Sequence, residues 1–311
     1  MLVREGMKRE ARPSVHTLAG FTRLHTDGRA VMAYKDLLVH LDNSRACARR
    51  VEAAVRLAGQ DGATLTGLYP IVEIPLLTYI RKQIPRDVQA RMEAEAQGQA
   101  ESALKNFREA AERGGVSCET RTDRALDTTL GSVVGMHARY ADLVVLGQTD
   151  PQEPPQVGRH LPEEVVLASG RPVLVVPYIG AAATIGQRVV VAWDASREAA
   201  RAVSDAMPIL ERAESVLVVI VNPESTPLGH GEVPGADIGA YLARHKVEVE
   251  VQRVPSGELS VADALLSYVA DREADLLVMG AYAHSRVREL VLGGVTRTML
   301  ESMTLPVLMA H

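Results

Sequence analysis

Cysteine, aromatic residues and long apolar runs are all scarce in this chain of 311 residues. The two cysteines are too few for the disulfide framework of a secreted protein, and their spacing fits neither a zinc site nor a Cys-x-x-Cys redox pair. The longest apolar stretches fall far short of the roughly 20 residues that span a bilayer. We therefore expect a soluble, cytoplasmic protein with no membrane partner and no bound metal.

An excess of charge of one sign is also missing. The chain has 34 basic and 39 acidic side chains, for a net charge of -5. No global positive field exists to attract nucleic acid, so we expect no nucleic-acid partner. Aromatic residues make up only 4% of the chain, and aliphatic side chains must therefore build the core.

The start of the chain differs from the rest. Residues 1–31 carry six basic and three acidic side chains and lack the apolar segment of a secretory signal. Met32 stands just before the first apolar strand, like a natural beginning. We expect residues 1–33 to be either a disordered extension or a stretch that precedes the native start.

The remaining sequence contains the same pattern twice. An apolar strand followed by Asp-x-Ser places Asp42 and Asp194 in matching positions, and a later apolar strand ends at Gly147 in one copy and Gly280 in the other. The copies predict a first domain over 34–178 and a second over 187–311, joined by a Gly- and Ala-rich linker. The first copy is longer by about nineteen residues, which fall in a helical stretch over 87–113.

Strands and helices alternate within each copy, and the strands are nearly continuous apolar runs. This pattern is typical of α/β domains with a doubly wound parallel sheet between two layers of helices. Ligands bind such sheets at the carboxyl ends of the strands. We therefore look for binding residues directly after each strand.

A glycine-rich segment follows the strand that ends at Gly280. Gly293 and Gly294 precede a predicted helix over 295–302, whose free N-terminal amides suit a phosphate group. Thr296 adds a hydroxyl. His284, Arg286 and Arg297 are possible phosphate contacts.

These residues resemble the universal stress protein family in its tandem, two-domain form, and the resemblance covers 34–311. ATP-binding members carry Gly, two residues, Gly, nine residues, then Gly and a Ser or Thr. This chain keeps the spacing with Gly280, Ala283, Gly293 and Gly294, but Ala283 replaces a glycine and Gly294 replaces the hydroxyl residue. The resemblance implies a Rossmann-like fold of the adenine nucleotide alpha hydrolase type, a stress-response role and an intramolecular pseudo-dimer. It leaves open whether two such chains form a homodimer.

The resemblance also assigns roles to residues of the second domain. It implies that Asp194 and Val221 lie against the adenine and ribose. The implied phosphate cradle consists of Gly280, Ala283, Gly293, Gly294, Val295 and Thr296. The ligand would be ATP, ADP or AMP, with or without Mg²⁺.

The first domain departs further from the family. Its matching helix begins with Pro162, Glu163 and Glu164, which would satisfy the helix terminus internally and repel a triphosphate. We therefore predict that the nucleotide site of the first domain is degenerate.

Three functions remain open at this stage. The leading hypothesis is a nucleotide-responsive regulator whose second domain binds the nucleotide. The alternatives are a slow Mg²⁺-dependent ATPase and a nucleotide-free scaffold acting through protein partners. No catalytic residue is predicted, because Asp194 can equally contact a ligand or only cap the next helix, and no nucleophile triad stands out.

Overall fold

The computed structural model describes residues 33–73, 83–153, 158–179, 184–222, 233–282 and 294–311. Residues 1–32 lie outside this part of the chain and make up nearly all of the N-terminal extension. Residues 180–183 of the linker also lie outside it. The strands are β1 (Asp36–His40), β2 (Thr64–Glu73), β3 (Cys118–Leu126), β4 (Leu143–Gly147), β5 (Val173–Val176), β6 (Arg188–Ala192), β7 (Ser215–Val221), β8 (Val249–Val254), β9 (Leu276–Gly280) and β10 (Val307–Ala310).

The helices cover both faces of the sheet. They are α1 (Cys47–Asp61), α2 (Arg86–Arg113), α3 (Leu130–Ala138), α4 (Leu161–Ser169), α5 (Arg197–Leu210), α6 (Ala236–Arg244), α7 (Val261–Asp271) and α8 (Val295–Ser302). One apolar core lies between the sheet and α1, α2, α5 and α6, and the other between the sheet and α3, α4, α7 and α8. The predicted three-layer α/β class is confirmed.

The strands of both halves join in one ten-stranded sheet of order β3-β2-β1-β4-β5-β10-β9-β6-β7-β8. The halves meet where β10 pairs antiparallel with β5, with Leu308 opposite Leu174, while the neighbouring strands within each half run parallel. The repeat predicts one doubly wound sheet in each half, and the resemblance implies a pseudo-dimer of the two. The two sheets join because β5 and β10 each have one edge that no strand of their own half covers, and these edges pair with each other.

Polar contacts also join the halves. The Tyr34 hydroxyl donates to the Asp205 carbonyl over 2.7 Å, and burial raises the pKa of this phenol. Asp61, at the end of α1, forms an ion pair with Arg212, just after α5. These contacts fix the relative position of α1 and α5 on one face of the sheet.

The strand order places a switch point in each half. In the second half, β6 lies between β7 and β9, so the chain leaves β6 toward one side and later returns on the other. In the first half β1 lies between β2 and β4 in the same way. The carboxyl ends of these strands form the crevices where ligands bind in such sheets. Among the described helices, none is both long and apolar enough to cross a membrane.

Candidate functional site

Three predicted site residues meet at the crevice of the second half. Ala192 of β6 lies opposite Val219 of β7 and Met279 of β9. Val221, Asp194 and Gly280 are therefore the residues at or just beyond the carboxyl ends of three adjacent strands. The structure thus brings together the predicted site residues that lie at the ends of strands.

Asp194 is exposed and only partly engaged. Its Oδ1 accepts hydrogen bonds from the Ser196 amide at 3.0 Å and the Ser196 hydroxyl at 2.6 Å. Ser196 Oγ in turn accepts from the Ala199 amide at 3.1 Å, so Ser196 caps helix α5. Within the described residues no basic side chain pairs with Asp194. Asp194 thus orients the cap and keeps its second carboxylate oxygen available.

Gly280 lets the first turn of α5 approach the end of β9. A Cβ atom added at Gly280 would lie 2.5 Å from the Ala199 amide nitrogen and 2.7 Å from the Glu198 carbonyl carbon. Both contacts are with backbone, which cannot rotate away. A glycine is therefore required here for the first turn of α5 to pack against the end of β9.

Three non-glycine residues in this crevice adopt left-handed backbone conformations. Ala195 has φ of 61°, Asn222, directly after Val221, has φ of 47°, and Tyr282, two residues after Gly280, has φ of 57°. Asn43 and Thr149 hold the places of Ala195 and Tyr282 in the first half, and neither has a positive φ. Such strain costs about 1–3 kcal/mol per residue and concentrates at functional sites. Among the described residues of the two crevices, such conformations of non-glycine residues occur only on the side where the sequence predicts the nucleotide.

Helix α8 presents its N-terminus to this region. Its N-cap, Gly294, provides no side-chain hydrogen bond, and no acceptor among the described residues takes the amides of Val295, Thr296 and Arg297. Free amides at the positive end of a helix dipole suit an anion. The helix has the predicted bounds.

Two side chains of α8 have other partners. Thr296 is buried, and its Oγ1 accepts a hydrogen bond from the Tyr282 amide at 3.1 Å. Arg297 is exposed and its Nε donates to Glu301 Oε1 at 2.9 Å, a hydrogen bond that raises the pKa of Arg297. Thr296 therefore ties α8 to the segment after β9. The Arg297 guanidinium is held one turn toward the C-terminal end of α8.

The other predicted phosphate contacts lie outside the described residues. These are Ala283, His284, Arg286 and Gly293, all within 283–293. Among the described residues, no group of three His, Cys, Asp or Glu side chains is arranged to hold a metal ion.

The equivalent crevice of the first half is filled by Arg50. Its Nη2 lies 2.9 Å from Asp42 Oδ2 and its Nε donates to the His40 carbonyl at 2.7 Å. Arg50 is 3% exposed, and its guanidinium lies so close to Gly147 that a Cβ there would clash with it. The matching residue in α5 is Ala202. The charge of Asp42 is thus neutralised by Arg50 of the same half, whereas Asp194 has no such partner among the described residues.

Electrostatics follow from this pairing. Burial alone would raise the pKa of Asp42, but Arg50, His40 and the Ser44 hydrogen bonds outweigh it and hold that pKa below its usual range. Burial, followed by the Arg50 charge, lowers the pKa of His40 from 6.5 to about 4. The first crevice therefore keeps a carboxylate, a guanidinium and a neutral imidazole next to one another.

Helix α4 of the first half carries Glu163 and Glu164 in its first turn. The expectation that they satisfy the terminus of their own helix is wrong, because no side chain caps α4 and Glu164 Oε2 instead accepts a hydrogen bond from the Gly131 amide of α3 at 3.2 Å. His160 Nδ1 lies 3.2 Å from Glu163 Oε2. Two carboxylates at this terminus would repel a phosphate, and the degeneracy of the first site stays a prediction.

Sequence reasoning missed three residues of these crevices. Arg50 carried a signal, because it lies four residues before the buried Ala54 on the apolar stripe of α1. Tyr282 and His311 carried none, since their rings meet edge to face at 6.5 Å only after β9 and β10 pair. The His311 ring nitrogen Nδ1 also lies 3.0 Å from the Ala281 carbonyl.

Comparisons with known proteins give the same family twice in one chain. The model of the universal stress protein family matches residues 33–177 and again 186–311. Universal stress protein Slr1230 of Synechocystis sp. is 46% identical over 46 residues, which are 15% of this chain and 16% of that protein. This chain thus covers only about a sixth of that relative.

Two solved structures share the fold across most of the chain. A universal stress protein from Archaeoglobus fulgidus DSM 4304 aligns with a TM-score of 0.69 at 16% identity, covering 88% of this chain and 95% of that one. A functionally unknown protein from Pseudomonas aeruginosa PAO1 aligns with a TM-score of 0.51 at 14% identity, covering 89% and 92%. At these identities the likeness concerns the fold alone.

Proposed function

Because this chain belongs to the universal stress protein family, we propose that it binds an adenine nucleotide in its second half and acts as a nucleotide-responsive regulator in a stress response. The ligand is ATP, ADP or AMP. The observation that carries the proposal is the contrast between Asp194, whose carboxylate faces solvent, and Asp42, which Arg50 neutralises.

The base and sugar would lie at the ends of β6 and β7. Val221 offers a half-buried apolar surface, and Asp194 has a carboxylate oxygen free to accept from a ribose hydroxyl or an exocyclic amine. Hydrogen bonds to a charged acceptor are worth about 1.5–3 kcal/mol. These two residues would supply the selectivity for a nucleoside.

The phosphates would lie over the N-terminus of α8. The amides of Val295, Thr296 and Arg297 point out of the helix without acceptors among the described residues. Gly294 supports the proposal because it places no side chain beside these amides, and Gly280 supports it because it lets the first turn of α5 approach the end of β9. Ala283 and Gly293 complete the cradle on the basis of their spacing in the sequence alone.

The first half would not bind nucleotide. Arg50 fills the space over Gly147, and the first turn of α4 carries Glu163 and Glu164. A triphosphate would have to displace a buried ion pair and approach two carboxylates. We therefore propose one nucleotide per chain.

The test is a titration with ATP, ADP and AMP in the presence of Mg²⁺, followed by heat and by the fluorescence of Trp193, which directly precedes Asp194. Asp194→Asn removes the charge and should weaken binding about tenfold, because a charge-assisted hydrogen bond becomes a neutral one. Asp42→Asn is the matched control and should leave the affinity unchanged. Circular dichroism should establish that both variants are folded at the titration temperature.

Phosphate release measured in parallel separates the remaining functions. Binding without turnover supports the regulator. Release that Asp194→Ala abolishes would favour a slow Mg²⁺-dependent ATPase, in which the metal bridges the phosphates. Absence of binding at millimolar nucleotide would overturn the proposal and leave a nucleotide-free scaffold.

A further inference from the structure

Gln148 of the first half reaches a helix of the second half. It follows Gly147 at the end of β4, and its side chain is buried at 5% exposure. Its Nε2 donates to the carbonyls of Leu300 at 3.0 Å and Glu301 at 3.2 Å, both in the last turn of α8. Its Oε1 accepts from the Tyr178 amide at 3.3 Å, which fixes the orientation of the side-chain amide.

These two carbonyls need a donor from outside the helix. The last four carbonyls of an α-helix have no partner within it. Many helices satisfy some of them with a left-handed glycine after the last turn. Helix α8 is instead followed by Met303 in extended conformation, and Gln148 supplies the donor for two of the four.

The contact runs in one direction only. Ala281 holds the place of Gln148 in the second half. The main chains match, since the Ala281 amide donates to the Ala310 carbonyl at 2.9 Å and the Gln148 amide donates to the Val176 carbonyl at 2.8 Å. An alanine has no side-chain donor and cannot reach the end of α4 in return. The first half therefore holds the helix of the second half, but the second half does not hold α4 in the same way.

Helix α8 connects this contact with the proposed phosphate site. It has eight residues and spans about 12 Å, so its held end and its N-terminal amides belong to one short rigid rod. Near the N-terminus, Thr296 Oγ1 is bonded to the Tyr282 amide. Loss of the contact at one end would let the helix tilt and displace the amides at the other.

We propose that Gln148 is a positioning residue through which the first half sets the nucleotide affinity of the second. This inference rests on the proposed function, because the affinity concerned is that of the second-half site. It gives the degenerate half a role: the residue after Gly147 holds the neighbouring half's helix.

The test compares Gln148→Met with the wild-type chain. Methionine keeps the length of the side chain and removes its hydrogen bonds. Loss of two buried hydrogen bonds that orient the cradle should weaken ATP binding about tenfold. Hydrogen exchange without nucleotide should become faster at the amides of α8, a change that follows from a loosened helix rather than from lost ligand contacts.

Tyr34→Phe is the matched control. It also removes a buried hydrogen bond between the halves, but on the other face of the sheet and away from α8. It should leave both the ATP affinity and the exchange of α8 unchanged. Gln148→Asn, which retains an amide but is one methylene shorter, serves as the second variant if Gln148→Met does not fold and should change both quantities in the same direction.

The outcomes separate the two proposals. Wild-type affinity in the folded Gln148 variants would overturn the role of Gln148 and leave the nucleotide site standing. An equal loss in Tyr34→Phe would also overturn it, because any loosening between the halves would then suffice. If the wild-type chain binds no ATP, the proposed function fails and the affinity role of Gln148 fails with it.

Discussion

The buried His40 should make the folded chain sensitive to mild acid. It lies at the end of β1, with its Nδ1 3.7 Å from Asp42 Oδ2 and with Arg50 beside it. Burial and the Arg50 charge lower its pKa from 6.5 to about 4. The folded state therefore requires a neutral imidazole over a pH range in which the unfolded chain is already protonated.

The sign and size of the effect follow from linkage. Above pH 7 His40 is neutral in both states and contributes no pH dependence. As pH falls below 6.5, the unfolded state takes up a proton and the folded state does not, so stability is lost until the folded pKa is reached. The loss should be about 2 kcal/mol at pH 5 and about 3 kcal/mol at pH 4.

The assay is urea unfolding followed by circular dichroism from pH 8 to pH 4.5, a range that keeps Asp42 ionised. His40→Gln removes the titrating group. Its stability relative to the wild type should be constant above pH 7 and rise by about 2 kcal/mol between pH 7 and pH 5. If the free energies of unfolding of His40→Gln and of the wild type changed in parallel over the whole pH range, a buried, neutral His40 would be refuted.

Two further substitutions test the packing of the second crevice. Gly280→Ala should cost about 1–3 kcal/mol of unfolding free energy in a urea titration and weaken ATP binding, because the Cβ would meet the backbone of Glu198 and Ala199. Gly98→Ala, at a helical position with open space, is its control and should stabilise the chain by about 1 kcal/mol. An unchanged or raised stability of Gly280→Ala would contradict the close approach. Ala195→Gly should raise the midpoint of thermal unfolding, since relief of about 1–2 kcal/mol of left-handed strain exceeds the entropy cost of glycine, and a lowered midpoint would count against that strain.

Much of the architecture could be predicted because it depends on local periodicity and on the repeat. Helix α8 has the predicted bounds, and α2 begins one residue before the expected stretch. Strand β2 extends as far as Glu73, because β3 continues to pair with it up to Leu126. That extension depends on a partner distant in sequence, which periodicity alone cannot reveal.

The candidate site was predictable only in part. Positions after strand ends follow from topology, so Asp194, Val221 and Gly280 could be placed from the sequence. The reach of Gln148 to α8 could not, because it joins elements that are distant in sequence. The Arg50–Asp42 pair could not, because it depends on the direction in which the Arg50 side chain leaves α1. The two halves have similar strand patterns, and their difference lies in these tertiary contacts.

The most direct test of the central claim is to locate the bound nucleotide in the chain. Photolabelling with 8-azido-ATP in Mg²⁺, followed by peptide mapping, reports which half holds the base. The account predicts a single label within 187–311, near the ends of β6, β7 or β9, which excess ATP prevents. Label within 34–178, or label that excess ATP does not reduce, would contradict it.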